Sequence, residues 1–308
     1  MFNIIGKRKY WFGISVILVI ISFIALWQWG LNWGIDFTGG SLMEVSIDDN
    51  AISNENIAQT LTTAGYNGVQ VQPSTDNLVL IRLESLTEEQ HQAVLQTLEE
   101  NFHQVDEDGN IISQIQEERF ESIGPTIGAE LKSKALSAII WVLLAIVAYI
   151  AFAFRKVSYP VASWKYGISA IIALAHDIFI TIGLFSILGH YLGYQIDSLF
   201  VTALLTIMGF SVHDTIVTFD RTRENLFRHQ NQTFSDIVNN SINETLVRSL
   251  NTSLTTMIVL LAVYLFGGAS IQHFILALLF GIVIGTYSSI FLASPLLLVW
   301  YKGWKKQP

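Results

Sequence analysis

Six long apolar runs constrain this chain more than any other feature of its sequence. Each is about 20 residues or longer, the length that an α-helix needs to cross the hydrocarbon core of a bilayer. Only 14% of the residues are charged, whereas soluble domains carry about 25%. We therefore predict a polytopic α-helical membrane protein with six transmembrane helices. The runs cover residues 11–29, 135–154, 167–189, 198–219, 249–267 and 273–300.

The first run follows Lys7, Arg8 and Lys9, so a cleavable signal peptide is an alternative to a span. A signal peptide has a shorter apolar region and a small-residue cleavage site. This run is long and ends at Trp27 and Trp29, residues typical of a membrane–water interface. We interpret it as an uncleaved first span.

Basic residues predict the orientation of the spans. Of the 17 Lys and Arg residues, 13 lie in four segments that share one side of the membrane if there are six spans. The positive-inside rule places this side, with both termini, in the cytoplasm. The four segments are the N-terminus, the loop 155–165, the connector 220–248 and the C-terminal tail.

The domain division follows from this orientation. Residues 1–29 form the cytoplasmic N-terminus and the first span, and residues 30–133 form an extracytoplasmic domain. Residues 134–308 hold the other five spans, and their cytoplasmic connector, 220–248, has an amphipathic pattern that suits the membrane surface. The extracytoplasmic domain carries 18 of the 25 acidic residues. Solubility accounts for this acidity, and a specific charged partner is the alternative.

The extracytoplasmic domain reads as short alternating strands and helices in the order βαββαβ. This order predicts a small ferredoxin-like α+β domain. Ser53 is the expected N-cap of the first helix, and Thr87 with Gln90 forms a capping box at the second. The domain contains no catalytic constellation, so we expect a docking or moving module. The predicted strands are 42–47, 69–72, 77–83 and 111–122, and the helices are 54–64 and 88–102.

A glycine-rich segment, residues 34–41, leads from the first span into this domain. Gly34, Gly39 and Gly40 supply backbone freedom, and Asp36 favours a turn. These residues predict a tight exit from the membrane into the first strand. A functional motif is the alternative.

Two aspartates and an arginine lie within the spans: Asp177, Asp214 and Arg248. A charge at bilayer depth costs on the order of 3 kcal/mol, so such residues usually face the bundle interior and mark ion paths. At about 1.5 Å per residue, Asp214 lies roughly 10 Å and Asp177 roughly 15 Å from the cytoplasmic ends of their helices. Arg248 lies near the cytoplasmic start of the fifth span.

Asp214 is the strongest candidate for proton coupling. Burial disfavours the ionised form of a carboxyl group and a nearby cation favours it, so a carboxyl beside Arg248 can load and release a proton. The alternative is a static polar clamp between helices. For Asp177 the two interpretations are equally supported. Further polar groups that support coupling at Asp214 belong to Ser211, His213, Asn251, Thr252 and Thr255.

Other polar residues near these sites receive less specific interpretations. His176 and His213 precede the two aspartates, so on a helix they should point about 100° away from them. We expect them to pack against neighbouring helices. Asp220 and Arg221 lie at the cytoplasmic boundary, where an interfacial role is favoured over a mechanistic one.

Motifs of several enzyme classes are absent from the sequence. There is no phosphate-binding loop, HExxH, GxSxG or GxGxxG pattern. The chain has no cysteine, which excludes disulfides, thiolate metal sites and a cysteine nucleophile. We expect no enzymatic activity, cofactor, metal or nucleic-acid partner. Any work must draw on an ion gradient or on a partner protein.

These motifs in combination resemble the SecF family of bacterial protein-export membrane proteins. The resemblance begins at the first span and extends to Pro295. It rests on Gly34–Gly40 after the first span, His176-Asp177 in the third, Gly209–Arg223 in the fourth and Tyr264–Gly268 after the fifth.

The resemblance implies membership of the resistance-nodulation-division superfamily and a pseudo-symmetric unit with SecD. Such a unit assists the SecYEG channel and the SecA motor, using the proton-motive force to promote translocation and release of exported preproteins. Asp214 matches the family's fourth-span aspartate, and Arg248 matches its fifth-span arginine. The implied location, among membrane lipid, is the inner (plasma) membrane or an internal energy-transducing membrane.

Two other functions remain as alternatives. One is a subunit of a small-molecule or lipid exporter of the same superfamily, although such exporters usually have larger extracytoplasmic domains. The other is a passive assembly factor that stabilises the translocon without conducting protons. The buried Asp214 argues against the passive factor. The sequence leaves open whether protons or sodium ions drive the process, and which proteins are exported.

Overall fold

The computed structural model describes residues 1–47, 53–73, 78–105, 111–113, 115–154, 161–229 and 231–302. In chain order the elements are α1 (Arg8–Trp29), α2 (Ile35–Thr38), β1 (Gly40–Ile47), α3 (Asn54–Thr63), β2 (Gln70–Pro73), β3 (Leu78–Leu83), α4 (Glu88–Asn101), β4 (His103–Val105), β5 (Ile111–Ser113), β6 (Ile115–Ile123), α5 (Pro125–Ala153), α6 (Ser163–Leu192), α7 (Ser198–Arg228), α8 (Phe234–Phe266), α9 (Ala269–Ser288), a π-helical turn (Ser289–Ala293) and α10 (Ser294–Lys302).

Six helical segments within the described residues are long and apolar enough to cross a membrane, which confirms the six predicted spans. The first five are α1, α5, α6, α7 and α8, and the sixth is Ile271–Tyr301, in which α9 and α10 flank the π-turn. The helices are mostly longer than the apolar runs. For example, α5 begins at Pro125 rather than at residue 135, because proline suits the first position of a helix.

The chain forms two compact units. The first, here called the bundle, comprises Met1–Asn32 and Ser137–Pro308. The second, here called the small domain, comprises Trp33–Leu136.

The small domain is built on a four-stranded antiparallel sheet with the strand order β2-β3-β1-β6. Side chains of α3 and α4 bury with alternate residues of the strands in one core. The predicted ferredoxin-like βαββαβ arrangement is therefore confirmed. Fully buried members of the core include Met43, Val45, Ile57, Leu61, Ile81, Val94 and Leu98.

Both predicted helix caps of the small domain are confirmed. Ser53 Oγ accepts a hydrogen bond from the Asn56 amide at 3.2 Å. The Thr87 side chain accepts from the Gln90 amide at 3.4 Å, and the Gln90 side chain accepts from the Thr87 amide at 2.9 Å. These bonds satisfy amide groups that have no partner within their own helices.

The last predicted strand, 111–122, is wrong as a single element. Ile111–Ser113 pairs with β4 in a separate two-stranded sheet, whereas β6 pairs with β1 in the main sheet. Period-two alternation gives the strand conformation but does not specify the pairing partner. Among the other strands, β2 includes Pro73, as an edge strand tolerates, and Asn77 of the third predicted strand lies outside the described residues.

The glycine-rich segment forms the short helix α2 and then reverses into β1. Gly39 and Gly40 have φ angles of 75° and 134°, which side chains other than glycine adopt at a cost. A Cβ atom added to Gly39 would lie 2.8 Å from Pro125 Cα, and one added to Gly128 would lie 2.9 Å from Gly39 N. The start of β1 therefore runs directly against the first turns of α5.

Substitution of Gly128 tests this close contact. Gly128→Ala forces a methyl group against the backbone of Gly39 and Phe37, so we expect the small domain to lose about 1–3 kcal/mol of stability. Gly124→Ala is the matched control, because nothing lies within 4 Å of its added Cβ. Protease resistance of the detergent-solubilised protein on heating measures the difference. Equal resistance of the two variants would show that the contact is not tight.

Close packing in the bundle centres on α7 and α9. A Cβ atom added to Gly281 would lie 2.2 Å from Ile207 Cδ1, and one added to Gly285 would lie 3.0 Å from Ser211 Cβ. This GxxxG pair therefore permits close helix contact, as its spacing predicts. Gly189 and Gly193 have the same spacing, but Gly193 ends α6 with a left-handed φ of 71° instead of packing against a helix.

The predicted surface connector, 220–248, is wrong as a separate element. α7 continues to Arg228 and α8 begins at Phe234, so most of the segment extends the two spans. The apolar side chains of Phe234, Ile237 and Val238 are buried in the bundle core instead of lying on a membrane surface. Helix formers and charged i,i+3 and i,i+4 pairs let α7 continue beyond the apolar run. Arg155 and Lys156 of the loop 155–165 lie outside the described residues.

Candidate functional site

Asp177, on α6, is fully buried and joins three helical segments of the bundle. Its Oδ2 atom accepts hydrogen bonds from Ser211 Oγ on α7 at 2.6 Å and from Ser288 Oγ at the end of α9 at 2.7 Å. Its Oδ1 atom lies 3.0 Å from His176 Nδ1. Hydrogen bonds to a carboxylate are short and strong when the group is ionised. The arrangement suits a polar clamp, and a proton-coupling role for Asp177 stays a prediction.

The expectation that His176 points away from Asp177 is wrong. The side chains of His176 and Asp177 leave the helix in different directions. Nδ1 is the ring nitrogen nearer to the backbone, however, so it still reaches the neighbouring carboxylate. The His176 ring also lies 6.4 Å from the Tyr287 ring. Its Nε2 atom is buried and has no hydrogen-bond partner among the residues described. His176 therefore contacts the buried carboxyl network directly.

Asp214, on α7, is buried as deeply but is bonded differently. The residue is 2% exposed, and its Oδ2 atom has no hydrogen-bond partner in the described part of the chain. The Oδ1 atom lies 3.6 Å from His213 Nδ1, which is too long for a hydrogen bond. A buried oxygen without a partner carries the full desolvation cost of an ionised group. The site therefore suits a carboxyl that exchanges a proton with its surroundings.

Arg248 lies on α8, which is joined to α7 by a hydrogen bond of 3.3 Å between Thr218 and Thr245. Thr218 follows Asp214 by one turn of α7, and Thr245 precedes Arg248 by one turn of α8, so this bond brings Arg248 to the region of Asp214. Over the residues that the structure describes, no direct ion pair joins the two side chains. Arg248 is exposed, and Asp214 is enclosed. The structure thus brings the two predicted residues into one region without bonding them to each other.

Charged and polar groups join α7 and α8 at the ends of these helices that the basic residues predict to be cytoplasmic. Arg221 Nε donates to Glu244 Oε2 at 2.6 Å, and Asn225 Nδ2 donates to the same atom at 2.8 Å. Asp220 is exposed and lies 3.8 Å from Arg223. Arg221 therefore fastens two helices together, and Asp220 makes only a long surface contact.

A polar face on α7 and α8 is left uncovered by the bundle. His213 has 62% of its side chain exposed, and Arg248 and Asn251 are also exposed. Charged and amide side chains are unfavourable against lipid tails, so this face needs a polar partner or water. The polar face consists of Thr202, Thr206, His213, Arg248, Asn251, Thr252 and Thr255.

Sequence reasoning missed the hydroxyl groups of the sixth span. Ser288 bonds to Asp177, Ser289 bonds to α7, and Thr286 Oγ1 lies 2.6 Å from Ser253 Oγ on α8. The signal was the polar run Thr286-Tyr287-Ser288-Ser289 inside an otherwise apolar stretch. Hydroxyl groups at bilayer depth commonly form bonds between helices.

The remaining predicted residues, Gly34, Asp36, Gly39 and Gly40, belong to the small domain. They shape α2 and the start of β1, whereas the two aspartates belong to the bundle. The described residues hold no group of three or more His, Cys, Asp and Glu side chains that could bind a metal ion.

Comparison with known proteins gives consistent matches over nearly the whole chain. The family model described as "Protein export membrane protein SecD/SecF, C-terminal" matches residues 104–303, and "SecD/SecF GG Motif" matches residues 24–51. The protein translocase subunit SecF of Thermobaculum terrenum is 44% identical, covering 97% of this chain and 94% of that protein. The SecF subunit of Anaerolinea thermophila is 39% identical, covering 98% and 95% respectively.

Solved structures agree with these matches. The crystal structure of SecDF from Thermus thermophilus, described as a translocon-associated membrane protein, is 32% identical and superposes with a TM-score of 0.81. The match covers 98% of this chain and 39% of the SecDF chain. A second SecDF structure, in the super-membrane-facing form, matches with a TM-score of 0.67. The chain therefore spans about two fifths of the length of the SecDF polypeptides it resembles.

Proposed function

The chain belongs to the SecD/SecF family as a SecF-type protein translocase subunit, and we propose that it couples the proton-motive force to protein export. In this proposal the chain pairs with SecD, and the pair acts on preproteins that SecA drives through the SecYEG channel. Proton movement through the pair promotes late translocation and release. The chain itself catalyses no chemical reaction.

The observation that carries this proposal is the environment of Asp214. Its buried Oδ2 atom has no hydrogen-bond partner among the residues described, and Arg248 lies on the neighbouring helix α8, which a Thr218–Thr245 hydrogen bond joins to α7. Burial favours the protonated carboxyl and the arginine favours the ionised one. A group held between these opposing effects changes its protonation state when the local proton concentration changes.

The polar face supports the pairing with SecD. His213, Arg248 and Asn251 are exposed on helices that cross the membrane, where lipid tails offer no hydrogen bonds. Spans of SecD packed on this face would enclose Asp214 and Arg248 between the two chains. Protons would then pass along the interface and not through lipid.

The orientation supports the same assignment. Basic residues cluster in the segments that the positive-inside rule places in the cytoplasm. We therefore place both termini in the cytoplasm and the small domain on the opposite side of the membrane. The membrane itself is the inner membrane or an internal energy-transducing membrane. Preproteins leaving the channel emerge on the side of the small domain.

Export by inverted membrane vesicles tests this function. Vesicles from cells that lack the chain are compared with vesicles in which it is restored, with SecA and ATP present. We expect restored vesicles to complete translocation faster when a proton gradient is imposed, and to lose this gain when an ionophore collapses the gradient. An equal gain in vesicles without the chain would refute the proposal. Restoration that is the same with and without a gradient would identify a passive assembly factor.

A further inference from the structure

The sixth span contains one surplus residue at its centre. Between α9 and α10, the turn Ser289–Ala293 is π-helical, so its backbone bonds join residues five apart instead of four. Ser294 Oγ donates to the Ser289 carbonyl oxygen at 3.1 Å, which supplies that oxygen with a side-chain partner at the turn. Single π-turns within α-helices occur frequently at functional sites.

Two consecutive serines at the start of this turn bind different helices. Ser288 Oγ donates to Asp177 Oδ2 on α6 at 2.7 Å. Ser289 Oγ donates to the Ser211 carbonyl oxygen at 3.1 Å and lies 2.8 Å from Thr215 Oγ1, both on α7. Both serines are fully buried. The turn therefore lies where the sixth span contacts both aspartate-bearing helices.

We propose that Ser288 and Ser289 are alternating positioning residues for Asp177, exchanged by movement of the π-turn along the sixth span. When the turn moves toward the N-terminus, each residue that it passes takes the helical position of the residue before it. Ser289 then occupies the place of Ser288 and donates to Asp177, so the buried carboxylate keeps its hydrogen bond. α10 keeps its place, because residues beyond the turn do not change position.

The exchange loses hydrogen bonds to α7, whereas the number of hydrogen bonds to Asp177 on α6 stays the same. Ile290 takes the former place of Ser289, so Thr215 and the Ser211 carbonyl oxygen lose their partner in the sixth span. Losing a buried hydrogen bond is unfavourable, which holds the turn in its present position. Ser211 and Thr215 lie on either side of Asp214 in α7. A change of protonation at Asp214 therefore acts directly beside the contacts that decide the position of the turn.

This inference rests on the proposed proton coupling and adds the element that moves. The π-turn is a two-position element whose equilibrium Asp214 biases, which is what coupling between a proton site and a helix movement requires. Gly281 and Gly285 limit the range of the shift, because they pack so closely against α7 that no residue with a side chain fits in their places.

Deletion of a single residue tests the proposal. Deletion of Phe291, inside the π-turn, removes the surplus residue and leaves the helices on both sides in their present positions. We expect the variant to accumulate and pair with SecD like the wild type, but to lose the gain of export on imposing a proton gradient. Deletion of Val283, an exposed residue of α9, is the matched control. When the π-turn absorbs this deletion, the residues from 284 to the turn each move back by one helical position. Thr286 then takes the place of Gly285, where an added Cβ lies 3.0 Å from Ser211 Cβ, so we expect this variant not to assemble.

Each outcome of the deletions decides the proposal. If the Phe291 deletion keeps the full response to the gradient, the turn does not move during coupling and the proposal fails. If it fails to assemble like the Val283 deletion, the turn does not hold a surplus residue and the proposal also fails. Loss of the response in Asp214→Asn with its retention in the Phe291 deletion would leave the proton-coupled function standing and refute the π-turn alone.

Serine substitutions give a second, independent measurement. Ser288→Ala leaves Asp177 a donor from the sixth span only in the shifted position, and Ser289→Ala leaves one only in the present position; Ser211 still donates to Asp177 in both variants. Each variant should therefore shift the external pH at which gradient-driven export is half-maximal, and the two shifts should have opposite signs. A merely structural role would lower protein yield and leave this pH unchanged. Unchanged midpoints in both variants, at normal yield, would overturn the exchange.

Discussion

Replacing Asp214 by asparagine should reduce export with a proton gradient to the rate seen without one. The amide has nearly the same shape as the carboxyl but can neither bind nor release a proton near neutral pH. The buried site already leaves one carboxyl oxygen without a hydrogen-bond partner in the described part of the chain, so the amide breaks no existing bond of that atom. We therefore expect normal yield and normal pairing with SecD.

The internal control for Asp214→Asn is the part of export that ATP drives alone. SecA-dependent translocation in the absence of a gradient should be the same in wild-type and variant vesicles. A lower rate in both conditions would indicate a damaged protein and not a lost proton site. A full response of the variant to the gradient would remove Asp214 from the mechanism.

Replacing Arg248 by methionine should cause the second-largest loss. Methionine preserves much of the side-chain length but removes the positive charge that α8 brings to the region of Asp214. Without this charge the protonated carboxyl is favoured throughout the cycle, and release of the proton becomes slow. We expect at least about a tenfold drop in the gradient-dependent rate, since a change of about 1.4 kcal/mol in a barrier already corresponds to a factor of ten.

Arg248→Lys is the matched variant for this prediction. Lysine retains the charge and loses only the planar donor geometry. Because Arg248 makes no direct ion pair with Asp214 within the described residues, a point charge should serve almost as well. Arg248→Lys should therefore keep most of the gradient response. Equal losses in the methionine and lysine variants would show that the guanidinium shape matters and the charge does not.

The spans and the small domain could largely be predicted from the sequence. Apolar runs of membrane length admit few alternatives, and local caps at Ser53 and Thr87 marked two helix starts correctly. The connector 220–248 could not be predicted in the same way. Hydropathy marks where a chain leaves the apolar core of the membrane but does not show whether the helix ends there, and α7 and α8 both continue as helices beyond that point.

The candidate site was only partly predictable. Buried aspartates are conspicuous in a span, so Asp214 and Asp177 could be found from the sequence. The partners of Asp177 could not, because Ser211 and Ser288 lie 34 and 111 residues away along the chain. Helix packing alone decides which hydroxyl groups meet. The same holds for the π-turn, since a surplus residue inside a continuous helix has no signature in hydropathy.

The central claim is that protons move through the pair at Asp214, and proton flux tests it most directly. The chain and SecD are reconstituted together in liposomes that contain a pH-sensitive dye, and a proton gradient with a compensating potential is imposed. The wild-type pair should pass protons faster than empty liposomes, and the pair with Asp214→Asn should match the empty ones. Equal flux through the wild-type and Asp214→Asn pairs would contradict the account.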